Sequence, residues 1–339
     1  MPHCRKDGKA MSEILAKNRV LEPVTMSSVY AKTLLSLMKL YPKVIEFEAD
    51  LGRSLLGPDV LQRMRTEFPK QFVDCGIQEC NMVGVAAGMS LAGWVPYVHS
   101  FAAFASRRVI DQVFLSGCYS KANIRIIGSD PGVTSAFNGG THMPFEDIAA
   151  YRAFPEMTIL EPTDSVMLES ILMNLADVYG MFYLRLLRKN AVKIYEEGTS
   201  FQIGEAKRLK EGSDVTIIAA GVEVAEALTA AEMLDKEGIR ARVLDMFTIK
   251  PLDQKAVISA AKETGAIVTA ENHNVINGLG SAVADVLALH YPAPLEKIGI
   301  QDQFGEVGPM DYLKKRYGMT AEDIVLAAKR AICRKRSDR

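Results

Sequence analysis

Two rhythms of apolar and polar positions alternate along this chain. Segments with one apolar stripe per helical turn are followed by short apolar runs of strand length. SVYAKTLLSLMKLY (28–41) reads as a helix, and VIEFEAD (44–50) as a strand. GPDVLQRMRTEF (57–68) and QFVDC (71–75) repeat the pair, as do QECNMVGVAAGMSLAG (78–93) and VPYVHS (95–100). SRRVIDQVFLSGCYS (106–120) predicts a helix and NIRIIGSD (123–130) a strand. After a glycine-rich loop come the helix PFEDIAAYRAF, the strand MTILEP, the helix SVMLESILMNLADVY and the strand GMFYLRLL. Such alternation predicts an α/β fold with a parallel sheet covered on both faces.

The polar, turn-rich stretch KNAVKIYEEGTSFQIGEAKRLKEGSD then interrupts the pattern, which restarts at DVTIIAAG. The helix VEVAEALTAAEMLDKEG, the strand IRARVLDMF, the helix LDQKAVISAAKETG, the strand AIVTAE and the helix GLGSAVADVLALHY follow. The expectation is two consecutive parallel-sheet α/β domains, at residues 21–190 and 213–333. A linker at 191–212 joins them, with a loose arm at 1–20 and a basic tail at 334–339. Between Cys80 and Ser106 there is no Asp, Glu, Lys or Arg, long enough for a membrane span. Asn81, Gly93, Pro96 and His99 interrupt it, so it reads as a buried helix and a buried strand.

Charge narrows the picture. Lys and Arg number 40 against 41 Asp and Glu, which gives no electrostatic case for nucleic acid. Cysteines at 4, 75, 80, 118 and 333 form no C-x-x-C pair, consistent with a reducing, cytoplasmic compartment. The N-terminal residues have no apolar core of signal-peptide length.

Glu79 is the only charged residue between Gly76 and Gly93. Either it is an acid favoured at a helix N-terminus, or a buried carboxylate kept to exchange a proton. Phe101 and Phe104 fit two core aromatics on a helix or a slot for a heterocycle. The loop GSDPGVTSAFNGGTHMPFED (128–147) sits at the carboxyl end of a strand, where open parallel sheets bind ligands. Its His142 is a surface histidine or a proton-transfer group, and Arg188 an anion anchor or an interface arginine. GLGSA (278–282) lacks the full dinucleotide fingerprint and favours close helix packing instead. His273, in ENHN, is the one candidate group in the second domain.

Together FVDCGIQECNM, SFAAFASRRVIDQ, NGGTHMPFEDIA with TILEPTD, and AENHNVINGLGSAVA resemble the C-terminal half of a transketolase, over about residues 20–332. The resemblance implies a pyrimidine-binding domain followed by a transketolase C-terminal domain, as in the second subunit of a split transketolase. It implies thiamine diphosphate with Mg2+, and transfer of a two-carbon ketol unit from a ketose to an aldose. Glu79 matches the glutamate that touches the cofactor's aminopyrimidine and helps to activate its thiazolium carbon. Phe101 and Phe104 match the aromatic slot for that ring, and Asp50, Ile77 and Arg107 fall beside it. Ser54 and His142 match substrate-facing positions, and Arg188 an arginine that grips the terminal phosphate of the sugar.

The same resemblance marks departures. Met26 stands where the family has a phosphate-binding arginine, Ser129 where it has a histidine, and Asn138 where it has an aspartate. A modified, branched or sulfonated sugar is therefore as open as an ordinary pentulose phosphate. No Gly-Asp-Gly occurs in the chain, so no residue is assigned to metal. The metal and diphosphate sites are expected on a separate N-terminal subunit, with self-association through the C-terminal half. A β subunit of a 2-oxo acid dehydrogenase and a 1-deoxyxylulose 5-phosphate synthase are the competing enzymatic readings. A non-catalytic regulatory subunit is the third.

Overall fold

A computed structural model describes residues 14–337. In the first domain the strands are β1 Val44–Glu48, β2 Phe72–Asp74, β3 Val95–Phe101, β4 Ile124–Ser129, β5 Met157–Leu160 and β6 Met181–Leu186. In the second they are β7 Lys207–Lys210, β8 Val215–Ala219, β9 Ala241–Asp245, β10 Thr248–Lys250, β11 Ile267–Asn274 and β12 Leu295–Ile300. The first sheet has seven strands in the order β10-β5-β6-β4-β3-β1-β2, and the second five in the order β12-β11-β8-β9-β7. All pairings are parallel except β10 with β5 and β7 with β9. The fold is thus α/β with two mostly parallel sheets.

Every residue of β1, β4, β6, β8 and β9 is buried, as in a sheet covered on both faces, including Glu46 and Glu48 of β1. Helices Met26–Leu40 and Ser165–Leu175 pack together over the first sheet. Each begins with a side-chain cap: Thr25 accepts from Ser28 N and Asp164 from Met167 N. The carboxyl ends of the two sheets face each other. Arg185 of β6 is fully buried there, hydrogen-bonded to Asp147 (2.9 Å) and to the carbonyl of Asn272 on β11 (2.8 Å), and ion-paired with Glu161 (2.8 Å).

Several expectations need correction. The stretch 191–212 is more than a linker, because β7 lies within it as an edge strand of the second sheet. Leu15, within the expected arm, and Leu21, just after it, bridge Tyr195 and Val192 of that stretch. Residues 1–13 of the arm lie outside the described residues. β10, which lies in the second half of the chain and is not among the expected strands, joins the first sheet. The basic tail begins inside helix Ala321–Ser337, where Arg334 bonds Glu296 at 2.9 Å. Helix Glu79–Leu91, expected to be buried, has an open face formed by Cys80, Asn81, Gly84, Val85, Gly88 and Leu91. Among the described residues no helix is long and apolar enough to cross a membrane.

Candidate active site

Glu79 is the first residue of helix Glu79–Leu91, just beyond the carboxyl end of β2. Its side chain is 2% exposed. A helix N-terminus tolerates a carboxylate there through its free N–H groups and dipole. Burial at this depth requires a partner as well. The partner is Arg108, whose Nη1 lies 2.7 and 2.8 Å from the two carboxylate oxygens. Ser100 Oγ donates a long bond of 3.4 Å to Oε1. The Arg108 guanidinium also lies over the Phe104 ring, 4.1 Å from its centroid.

Phe101, Phe104 and His142 form a triangle of edge-on rings. Their centroids are 6.2 Å apart for the two phenylalanines, and His142 stands 5.6 and 5.0 Å from them. Phe101 ends β3, and His142 arrives from the loop after β4. Thr141 Oγ1 is 2.9 Å from His142 Nδ1, and no described residue bonds Nε2. Arg188 lies over the Phe101 ring, 5.0 Å from its centroid. It donates through Nε to Asp130 (2.6 Å) and through Nη1 to Ser54 Oγ (3.1 Å), and Nη2 also pairs with Asp130. Of its five N–H groups, two remain for an anion. Asp50, Ile77 and Asn138 are exposed at the rim.

The structure separates the remaining expected residues from this group. Arg107 turns away from Glu79. It donates to the Thr141 carbonyl (2.7 Å) and pairs with Glu146 (3.2 Å), so it fastens the His142 loop. Met26 and Ser129, expected to face substrate, are fully buried. Met26 packs in the core, and Ser129 Oγ lies 3.0 Å from His99 Nε2. His99 in turn holds Glu48 at 2.9 Å through Nδ1. This buried Glu48–His99–Ser129 line beneath the pocket has no periodic signal, because strand residues of any polarity there are enclosed on both faces. Next to it, burial and the neighbouring Glu48 raise the Glu46 carboxyl well above the ordinary range, and Tyr30 donates to it.

Backbone strain gathers at the same edge. Asp50, Asp130 and Ala136 have φ values of 59°, 54° and 48°. The second domain braces the loop after β4. Asn272 takes a bond from Val133 N (2.8 Å) and donates to the Pro131 carbonyl (2.9 Å). Gly132, at φ 56°, leaves no room for a side chain, since a Cβ there would lie 2.1 Å from Asn272 Oδ1. Gly140 abuts the carbonyl of Gly305 in the same way, at 2.5 Å.

His273 belongs to this brace and not to the pocket. It is fully buried, with Nδ1 on the Asn274 carbonyl (2.7 Å) and Nε2 accepting from Ala149 N (3.3 Å). Burial lowers its pKa to about 4. The GLGSA glycines enclose a carboxylate of the chain itself: Leu279 N and Gly280 N donate to Glu271 at 2.6 and 2.8 Å. Among the described residues, no group of three or more His, Cys, Asp or Glu side chains is placed to hold a metal ion.

Comparison with known proteins adds a second line. The family description "Transketolase, pyrimidine binding domain" matches residues 22–193, and "Transketolase, C-terminal domain" matches 204–324. The chain is 46% identical over 308 residues to the 6-deoxy-6-sulfo-D-fructose transketolase subunit SqwH of Clostridium sp. (strain MSTE9), covering 91% of this chain and 94% of that protein. It is 37% identical over 300 residues to an apulose-4-phosphate transketolase subunit of Phocaeicola vulgatus, covering 88% and 95%. A solved structure titled "Split gene transketolase, inactive beta4 tetramer" superposes with a TM-score of 0.84 at 39% identity, covering 93% of this chain and all of that one.

Proposed function

The chain belongs to the transketolase family, and from that premise we propose that it is the C-terminal subunit of a split, thiamine-diphosphate-dependent transketolase. It would move a two-carbon ketol unit from a ketose with an anionic terminus to an aldose. The observation that carries this reading is that Arg108 joins buried Glu79 to the face of Phe104, whose ring stands beside His142, at the carboxyl edge of the sheet. A flat cation already sits between Glu79 and Phe104, in the form of the Arg108 guanidinium. A protonated aminopyrimidine is also a flat cation with N–H donors, so this cradle fits the pyrimidine half of the cofactor.

Thiamine diphosphate, when bound, supplies the carbon nucleophile that accepts the ketol unit. The chain's own groups do the rest. Glu79, shielded from water, exchanges a proton with a ring nitrogen. Phe101 and Phe104 wall the ring. His142, held through Nδ1, presents Nε2 to the hydroxyls at the reacting carbons. Arg188 is fixed by Asp130 and Ser54 and offers its two remaining N–H groups to a phosphate or sulfonate. The two relatives described above carry a sulfonated and a phosphorylated sugar in their names, and both fit such an anchor.

The partner follows from the open face of helix Glu79–Leu91, which borders Glu79 with exposed Ile77, Cys80, Gly84, Val85 and Gly88. A separate N-terminal chain, carrying the metal and diphosphate sites, would cover it, so that the cofactor lies between the two chains. The C-terminal half is proposed to self-associate, and the complex to be cytoplasmic. Native mass spectrometry of the chain from its own cells tests this. The expected result is a second, different polypeptide with bound thiamine diphosphate and Mg2+. That complex should transfer a ketol unit from a sulfonated or phosphorylated ketose to an aldose. A homo-oligomer without cofactor, or activity confined to 2-oxo acids with a lipoyl acceptor, would overturn the reading.

A further inference from the structure

We propose that Arg108 is a placeholder for the cofactor's aminopyrimidine. In the chain without cofactor its guanidinium occupies the seat between Glu79 and Phe104, and it must swing outward before the ring can enter. The proposal rests on the cofactor reading above.

Three observations support it. The first is chemical likeness. One nitrogen of the guanidinium meets both Glu79 oxygens, at 2.7 and 2.8 Å, while its flat face covers Phe104 at 4.1 Å. A carboxylate at one edge and an aromatic ring on one face are the contacts a protonated aminopyrimidine would take. Two flat cations cannot hold that seat together.

The second is asymmetry of freedom. Glu79 is 2% exposed and fixed at a helix N-terminus, whereas the Arg108 side chain is 43% exposed. Its backbone carbonyl is held by Cys80 Sγ at 2.9 Å, so a side-chain rotation suffices and the chain need not move. The third is the contrast with its neighbour. Arg107 is committed to Thr141 and Glu146, whereas the described partners of the Arg108 guanidinium are the two proposed contacts of the ring.

The arrangement serves a chain that waits for its other half. A buried carboxylate with no counter-ion destabilises the fold, and Arg108 supplies one until the cofactor arrives. Affinity is lowered in return, because only the fraction of molecules with Arg108 swung out is competent to bind.

The test is calorimetric titration of thiamine diphosphate with Mg2+ into the two-chain complex stripped of cofactor, comparing wild type with Arg108→Gln and Arg108→Lys. Arg108→Gln should bind roughly tenfold more tightly, the factor expected if the seat is free about a tenth of the time. Arg108→Lys, which keeps the charge but not the flat shape, should fall between. Cofactor-free Arg108→Gln should also melt below the cofactor-free wild type, and the gap should close on loading. Unchanged or weaker cofactor binding by Arg108→Gln, with wild type binding normally, overturns the placeholder and makes Arg108 a permanent partner of Glu79. A complex that binds no thiamine diphosphate with any of the three residues overturns the cofactor reading, and the placeholder with it.

Discussion

At the scale of single residues, the site is a set of charges held where water is scarce. Glu79 is legible in the sequence because a lone acid in an apolar run must be either paired or functional. Arg108 is not legible, since two arginines stand side by side and only the backbone decides which one faces the acid. Here that backbone is a 3-10 turn at Arg107–Val109, an α turn at Ile110–Gln112 and a π turn at Val113–Tyr119, so no single helical phase tells the two apart. Ser129 and Met26 are unreadable for a related reason: being matched in sequence to a substrate-facing position does not say which way a strand or helix start turns its side chain. Glu79→Gln keeps the shape and removes the proton exchange. It should leave the fold intact and lower kcat for ketol transfer by about 100-fold or more in the reconstituted complex. A kcat within a few-fold of wild type would mean that Glu79 is only a helix-terminal acid.

Helix Glu79–Leu91 shows what an element can and cannot disclose. Its sequence is apolar all round, the mark of a helix enclosed on every side. In this chain Met82, Val83, Ala86 and Ala87 are enclosed while Gly84, Val85 and Gly88 face outward. On the two-chain reading proposed above, the partner chain would complete the burial that this pattern describes. A Cβ built on Gly84 or Gly88 meets nothing within 4 Å. The double variant Gly84→Leu, Gly88→Leu should therefore fold as well as wild type, with a Tm unchanged or higher, since glycine is a poor helix former. It should fail to bind the N-terminal subunit, as read by size-exclusion chromatography of the mixed chains. Normal complex formation would move the partner surface elsewhere. The alternating strands and helices are legible because each carries its own period. β7 and β10 are not, because β7 is a short edge strand in a polar stretch and β10 a three-residue edge strand that runs into Pro251, and both resemble connectors.

Across the whole molecule, the seam between the domains gathers buried acids. Burial raises Glu223, Asp245 and Glu271 to about 7, from 4.5 for the glutamates and 3.8 for the aspartate. A raised folded pKa means stability that is complete below the unfolded value and is lost as pH rises through about 7. His273, lowered from 6.5 to about 4, acts in the opposite sense and withdraws stability as pH falls across that range. Among the described residues, neither carboxylate oxygen of Glu223 has a hydrogen-bond partner, although Lys314 lies 3.8 Å away. Glu223→Gln should raise Tm at pH 8 and change it little at pH 5. An equal shift at both values would show that the gain is packing and not charge. The same seam carries β10, three residues lent by one lobe to the sheet of the other. Domain arithmetic treats the two lobes as separable parts, but that strand is a suture. Cutting the chain between the lobes would bare the β5 edge to any extended segment nearby. The two lobes of this chain are therefore one unit, and the division proposed above, at the cofactor, falls between chains and not within this one.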